Sequence, residues 1–228
     1  MDLNTVKSNF TKLAFISFLA LQACSVSAPT FRTFDKPVVF DEERKKLSLE
    51  YLKARHGIVQ DSATIVPKMI VLHWTAIPTL EQSFDVMNPA LLPGARSGIA
   101  GASSLNVAAQ FLVDRDGTIF RQLPETAFAR HVIGLNYCAI GVENVGSGRM
   151  PLTKKQLDAN EALIRYLKRK YDIEYVIGHH EYKSFIGHPL WKETDPNYLT
   201  TKSDPGDEFM RKIRERIKDL GIQGAPQQ

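Results

Sequence analysis

The sequence predicts a mixed α/β domain, a single central mixed β-sheet flanked by helices. Three observations carry that reading. Apolar runs of strand length, Met69–Leu72 and Cys138–Val145 among them, are interspersed with helical patterns without strict alternation. Two helix starts bear capping-box pairs, Thr79 with Gln82 and Thr153 with Gln156. Between two further strand-like runs lies Asp116-Gly117, a strong hairpin signal.

Taken in order, residues 25–38 read as a tether. A polar helix begins at Asp41-Glu42-Glu43-Arg44, runs to about Arg55 and stops at Gly57, a natural C′ residue. Met69–Leu72 reads as a buried strand that delivers His73 at its end. A helix starts near Pro78, and the Pro-, Gly-, Ala- and Ser-rich stretch from Asn88 to Ser104 reads as a long surface loop. Val107–Val113 and Thr118–Leu123 form the hairpin, and Cys138–Val145 is another strand. After Thr153, Leu157, Ile164 and Tyr171 recur a heptad apart with Leu163 and Leu167 beside them, an amphipathic helix. Ile173–Ile177 is a strand ending in Gly178-His179-His180. The last helix follows Pro205, sets Phe209, Ile213, Ile217 and Leu220 on one face, and stops at Gly221.

A chain of 228 residues, 43% hydrophobic and 24% charged, has room for one globular domain plus short appendages. The appendage at the start reads as an export signal: Lys7 and Lys12 precede an apolar run from Leu13 to Ala23, too short to span a bilayer comfortably. Leu21-Gln22-Ala23-Cys24 is similar to a bacterial lipoprotein box, in which Cys24 is lipidated and becomes the mature N-terminus. Cleavage after Val26-Ser27-Ala28 is the alternative, disfavoured by Pro29. The domain boundaries expected are 1–23 for the signal peptide, 24–40 for the lipidated N-terminus and tether, 41–221 for the folded domain with its motif core at 66–210, and 222–228 for a tail. The protein is expected to be exported and periplasmic, attached to a bacterial outer membrane through Cys24. The only other cysteine is Cys138, which leaves no disulfide pair in the mature chain. Net charge is +4; removal of Asp2, Lys7 and Lys12 with residues 1–23 leaves +3, a balance that suits an anionic polymer or membrane surface. No nucleic-acid-binding motif is present.

Three strand-end positions carry histidine. His73 follows one strand, His179 and His180 follow another, and His131 lies in a loop just before a third. Three His or carboxylate ligands with a fourth position open is the pattern of catalytic zinc, and rigid strand ends suit it. By spacing alone the same His73 reads equally as a polar residue satisfied by a backbone hydrogen bond. Glu143 stands in the apolar run Ala139-Ile140-Gly141-Val142-Glu143-Asn144-Val145, where a carboxylate is costly unless paired or near a metal, and burial would raise its pKa into the range of a general base. The alternative is an edge-strand glutamate facing solvent. Asp204, before Pro205, reads first as a helix N-cap with proline at N1.

Six ordered segments resemble the type 2 N-acetylmuramoyl-L-alanine amidases, a superfamily that includes bacteriophage lysozyme-amidases and peptidoglycan recognition proteins. They are Val71–Ala76, Asn106–Thr118, Arg130–Asn136, Ala139–Glu143, Ile177–His180 and Lys202–Gly206. The resemblance implies a zinc ion held by His73, His179 and Asp204. It implies that Glu143 orients or deprotonates the attacking water, and that Lys202 stabilises the oxyanion. It places His131 and Asn136 in a loop lining the substrate groove, and it makes peptidoglycan or its muropeptides the binding partner. The bond cut would be the amide between N-acetylmuramic acid and L-alanine. Two departures stand out. Gln110 occupies a position where the family often has histidine, so no catalytic role falls to it. His179 and Asp204 are separated by an insert containing a second Asp-Pro pair, which makes Asp195 a rival third ligand; His180 similarly rivals His179. A non-catalytic peptidoglycan-binding protein and a zinc peptidase acting within the stem peptide are the alternative functions.

Overall fold

The computed structural model describes residues 32–94 and 97–227; the expected signal peptide, Cys24 and the first part of the expected tether lie outside them. A six-stranded sheet organises the domain, with strands β1 (Thr33–Asp35), β2 (Met69–Leu72), β3 (Phe111–Val113), β4 (Ile119–Arg121), β5 (Ala139–Asn144) and β6 (Tyr175–Gly178). Their spatial order is β1-β4-β3-β5-β2-β6. Only the β3–β4 pair is antiparallel, joined by the Asp-Gly turn with Gly117 at φ 87°; the other pairs are parallel. The helices are α1 (Glu42–His56), α2 (Leu80–Met87), α3 (Ser97–Ala100), α4 (Lys154–Lys170) and α5 (Asp207–Ile217). The fold is thus the mixed α/β architecture the sequence predicts. Among the described residues no helix is long and apolar enough to cross a membrane.

Local chemistry explains the helix boundaries. Asp41 accepts from Arg44 N at the start of α1, and Gly57 closes it in the left-handed conformation, where only glycine is free of a Cβ penalty. Thr153 and Gln156 form the complete reciprocal box on α4. Alternate residues of the central strands enter different cores. Ile70, Leu72, Ile140, Val142 and Val176 pack with Leu163, Ile164 and Leu167 of α4 and with Met210 and Ile213 of α5. Met69, Val71, Ala139, Tyr175 and Ile177 join Val132, Leu135, Tyr182 and Phe185 instead.

The structure refines three of these readings and overturns a fourth. Part of the tether is sheet: Thr33–Asp35 pairs in parallel with Ile119–Arg121. The C-terminal tail is docked, since Gln223 N donates to Glu174 O and Gln223 O accepts from Val176 N. The loop of 88–104 contains α3 and is pinned by a bridge between Leu91 and Leu105. Asp204 is not the cap of α5; Gly206 occupies that position without a side-chain cap. The carboxylate of Asp204 is engaged elsewhere.

Candidate metal centre and active site

Parallel pairing sets the site. Leu72 lies level with Val142 of β5 and with Gly178 of β6. One residue further along stand His73, Glu143 and His179, at the C-terminal ends of three adjacent parallel strands, where α/β sheets commonly bind ligands. His73 N donates to Val142 O at 2.9 Å, and Asn144 N returns to His73 O at 3.1 Å, which fixes His73 beside Glu143. Asp204 comes from the segment preceding α5.

Three side-chain atoms converge. His73 Nδ1 lies 3.0 Å from His179 Nδ1 and 3.1 Å from Asp204 Oδ2, and His179 Nδ1 lies 3.0 Å from the same Oδ2. All three residues are buried. Burial and the neighbouring His73 push His179 down to about 4, so its ring is neutral at ordinary pH. Burial alone would raise the Asp204 carboxyl, but its hydrogen bonds with His179 and His73 outweigh that and hold it well below the usual carboxylate range. The centre therefore offers two imidazoles, that of His179 neutral, and one carboxylate.

The two consecutive histidines divide the work. His179 faces the centre, whereas His180 secures the segment that brings Asp204 in: its backbone N donates to Asp204 O at 3.0 Å and its Nδ1 lies 2.9 Å from the same oxygen. His180 Nε2 lies 2.9 Å from Asp207 Oδ1. Gly178 permits this packing, because a Cβ there would sit 2.7 Å from the His180 ring and 2.9 Å from Pro205. Asp195, the rival ligand, is remote in role. It lies 3.7 Å from Arg55, accepts from Asn197 N and is half exposed.

His131 and Asn136 line the cleft, and both also hold neighbouring groups through hydrogen bonds. Both ring nitrogens of His131 are occupied, Nδ1 lying 3.1 Å from His73 Nε2 and Nε2 lying 3.2 Å from Ala139 O. The carbonyl can only accept, so a neutral His131 donates to it from Nε2 and accepts at Nδ1 from His73 Nε2–H. That leaves the His73 Nδ1 lone pair turned to the centre. The ring fits because residue 141 is glycine; a Cβ there would lie 2.8 Å from it. Asn136 Oδ1 accepts from His131 N and Val132 N at 2.8 and 2.7 Å, clipping the loop that carries His131. No sequence signal announces this outer layer, because it depends on which way a loop ring turns. Gln110 is structural: its Oε1 accepts from Gly141 N and its Nε2 donates to Ala127 O.

Glu143 and Lys202 border the same cleft as the three converging residues. Each is half-buried. The Lys202 charge is close enough to contribute to the depression of His179. The cleft continues past Arg130, Tyr198 and Thr200, the last two supplied by the insert between His179 and Asp204.

A buried His-His-Asp centre at strand ends, with a carboxylate and an ammonium beside it, could hold a metal ion and is the kind of site that metal-dependent hydrolases use. The model of the family described as N-acetylmuramoyl-L-alanine amidase matches residues 61–207. The chain belongs to that family of peptidoglycan amidases. Its fold is similar to that of the N-acetylmuramoyl-L-alanine amidase LysC from Clostridium intestinale, with a TM-score of 0.53 and 21% identity over 85% of this chain and 100% of that one. Fainter likenesses, which carry no argument, are to bumblebee PGRP-SA (TM-score 0.47, 17% identity, 74% of this chain and 91% of that one) and to AmiD of E. coli. The AmiD figures are a TM-score of 0.45 and 19% identity over 72% of this chain and 61% of that one. The comparison with curated proteins gives no match.

Proposed function

We propose that this amidase is zinc-dependent and acts outside the cytoplasm on the amide joining N-acetylmuramic acid to L-alanine. The observation that carries the reading is the triangle of His73 Nδ1, His179 Nδ1 and Asp204 Oδ2, 3.0–3.1 Å on a side and opening on a cleft that also holds Glu143 and Lys202. The donor set fits zinc. Bonds of about 2.0–2.1 Å in tetrahedral geometry separate donors by roughly 3.3 Å, close to the spacing seen here. Two imidazole nitrogens and one carboxylate oxygen suit a borderline-soft ion and leave one position for the reaction. When bound, zinc supplies Lewis-acid polarisation and lowers the pKa of water towards neutrality.

The chain's own residues do the rest. Glu143 Oε accepts a proton from the attacking water and later returns it to the departing L-alanine nitrogen. A bond forms between the water oxygen and the lactyl carbonyl carbon, and the C–N bond breaks. Lys202 Nζ donates to the carbonyl oxygen as negative charge develops on it. His131 holds the His73 ring so that its lone pair stays aimed. The export-signal pattern and the lipoprotein box at Cys24 support a mature protein anchored to the outer membrane, with peptidoglycan as its partner.

A muropeptide digest run with and without a chelator tests this. The expected result is release of intact stem peptides beginning with L-alanine, lost on chelation and regained with zinc. Products that keep L-alanine on the sugar would move the protein to the stem peptidases, and a metal-replete protein that binds wall without cutting it would make it a recognition module.

A further inference from the structure

One cleft opens from the His-His-Asp centre and a second lies next to it, and Trp74, the residue after His73, borders both. The first is the polar cleft already described, with Arg130, Tyr198, Thr200 and Lys202. The second, of about 760 Å³, begins beside Asp204 at Pro205 and Gly206 and runs between the N-terminal parts of α4 and α5. Its apolar surface comes from Pro151, Leu152, Leu157 and Phe209. The Trp74 indole stands over Gly206 and Gly148, where an added Cβ would lie 3.4 and 3.5 Å from the ring. The cations around this cleft are matched by carboxylates: Arg211 and Lys212 reach Glu208, Lys154 reaches Asp158, and Arg216 reaches Asp158 and Glu161. What the second cleft offers a ligand is therefore an aromatic plane and an apolar surface.

The substrate of the reaction proposed above branches at the scissile amide. One arm is a stem peptide, rich in amides and carboxylates, which suits the polar cleft. The other is a sugar chain whose pyranose rings present faces of C–H groups, the surface that packs on an aromatic plane. Resting on the amidase reading, we propose that the second cleft is a glycan-strand subsite with Trp74 as its stacking platform. The substrate is then a polymeric strand that extends past the centre, in preference to a single excised disaccharide–peptide.

Stem-free glycan strands of several disaccharides, titrated calorimetrically into the metal-free full chain, read the subsite without any turnover. Binding is expected, with Trp74→Ala weakening it about tenfold, the scale of one lost aromatic contact, and Trp74→Phe recovering most of it. Gly148→Phe, at an exposed position against the indole, covers the platform and should weaken binding similarly, so the result does not hang on the folding of one variant. In the zinc-loaded enzyme, Trp74→Ala should lower the ratio of kcat/KM on stem-bearing strands to that on a single disaccharide–peptide by the same factor. Strands that bind both altered proteins as tightly as the unaltered one, or a loss that is equal on both substrates, would overturn the subsite. An unaltered zinc-loaded protein that cuts neither substrate would defeat the amidase reading instead, and the glycan titration would still decide the subsite.

Discussion

Asn144 and Glu143 are neighbours on β5 whose side chains leave opposite faces of the sheet, and the polar groups on those two faces are treated differently. Behind the sheet, Asn144 Nδ2 donates to His73 O, and Asn160 Nδ2 donates to Asn144 Oδ1 at 2.7 Å and to Gln156 O at 2.7 Å. Gln156 Nε2 donates to Val145 O and Val113 O, while its Oε1 accepts from Thr153 N. Each donor there has an acceptor. In front, His73 Nδ1, His179 Nδ1 and Asp204 Oδ2 converge on one another in three short contacts, with His131 held behind His73. Buried polar groups that are mutually satisfied hold a fold together; buried ligand atoms that converge on one point are an arrangement that could hold a cation. The contrast separates a structural network from a working one a few ångströms away.

The sharpest break of that contrast is Asp204→Ala. It removes the carboxylate from the triangle, and zinc content by elemental analysis should fall from one per chain to none, with amidase activity reduced to background. Retention of both would transfer the third ligand elsewhere. His131→Ala comes next in size. It takes away the acceptor that holds His73 in its tautomer, and loss of such an outer partner typically costs about 10–100-fold in metal affinity. Competition with a chromophoric chelator reads this directly. An unchanged zinc affinity would leave His131 only its place in the lining of the cleft.

Much of the fold was legible because it is written in local chemistry. The Thr153–Gln156 box, the Asp-Gly turn and the glycine stop at Gly57 each satisfy a nearby backbone group or φ angle, and each marks a real boundary. What escaped depends on distant partners. Thr33–Asp35 is a strand only because β4 lies beside it, and three residues carry no periodicity to announce that. The sequence could bring His73, His179 and Asp204 to one place only through a family resemblance. Taken alone, Asp204 before proline is a better helix cap than a ligand, and nothing local distinguishes His179 from His180. Register decides the histidines: the parallel pairing that sets Leu72 level with Gly178 puts position 179 beside His73 at the cleft, and the next residue turns to Asp207.

Smaller effects test the other side of the comparison. Asn160→Ala removes the donor to Asn144 Oδ1 deep behind the sheet, and a buried acceptor left alone costs about 1–3 kcal/mol. Denaturant unfolding should show that loss while the folded protein still takes up zinc, since no atom of Asn160 enters the triangle. An equal loss of metal would mean that the two faces act as one network. The smallest effect is expected from Asp195→Ala, the second Asp-Pro pair of the insert. Asp195 offers a half-exposed carboxylate 3.7 Å from an arginine that already pairs with Glu193 at 2.7 Å, and it caps only the local turn at Asn197. Exposed pairs of this kind contribute roughly 0–1 kcal/mol. Zinc content and amidase activity should therefore stay at the unaltered level, and stability should shift by no more than that amount. Two aspartates with the same following residue then give opposite results, because only one is brought by the His180 clamp into the range of two imidazoles.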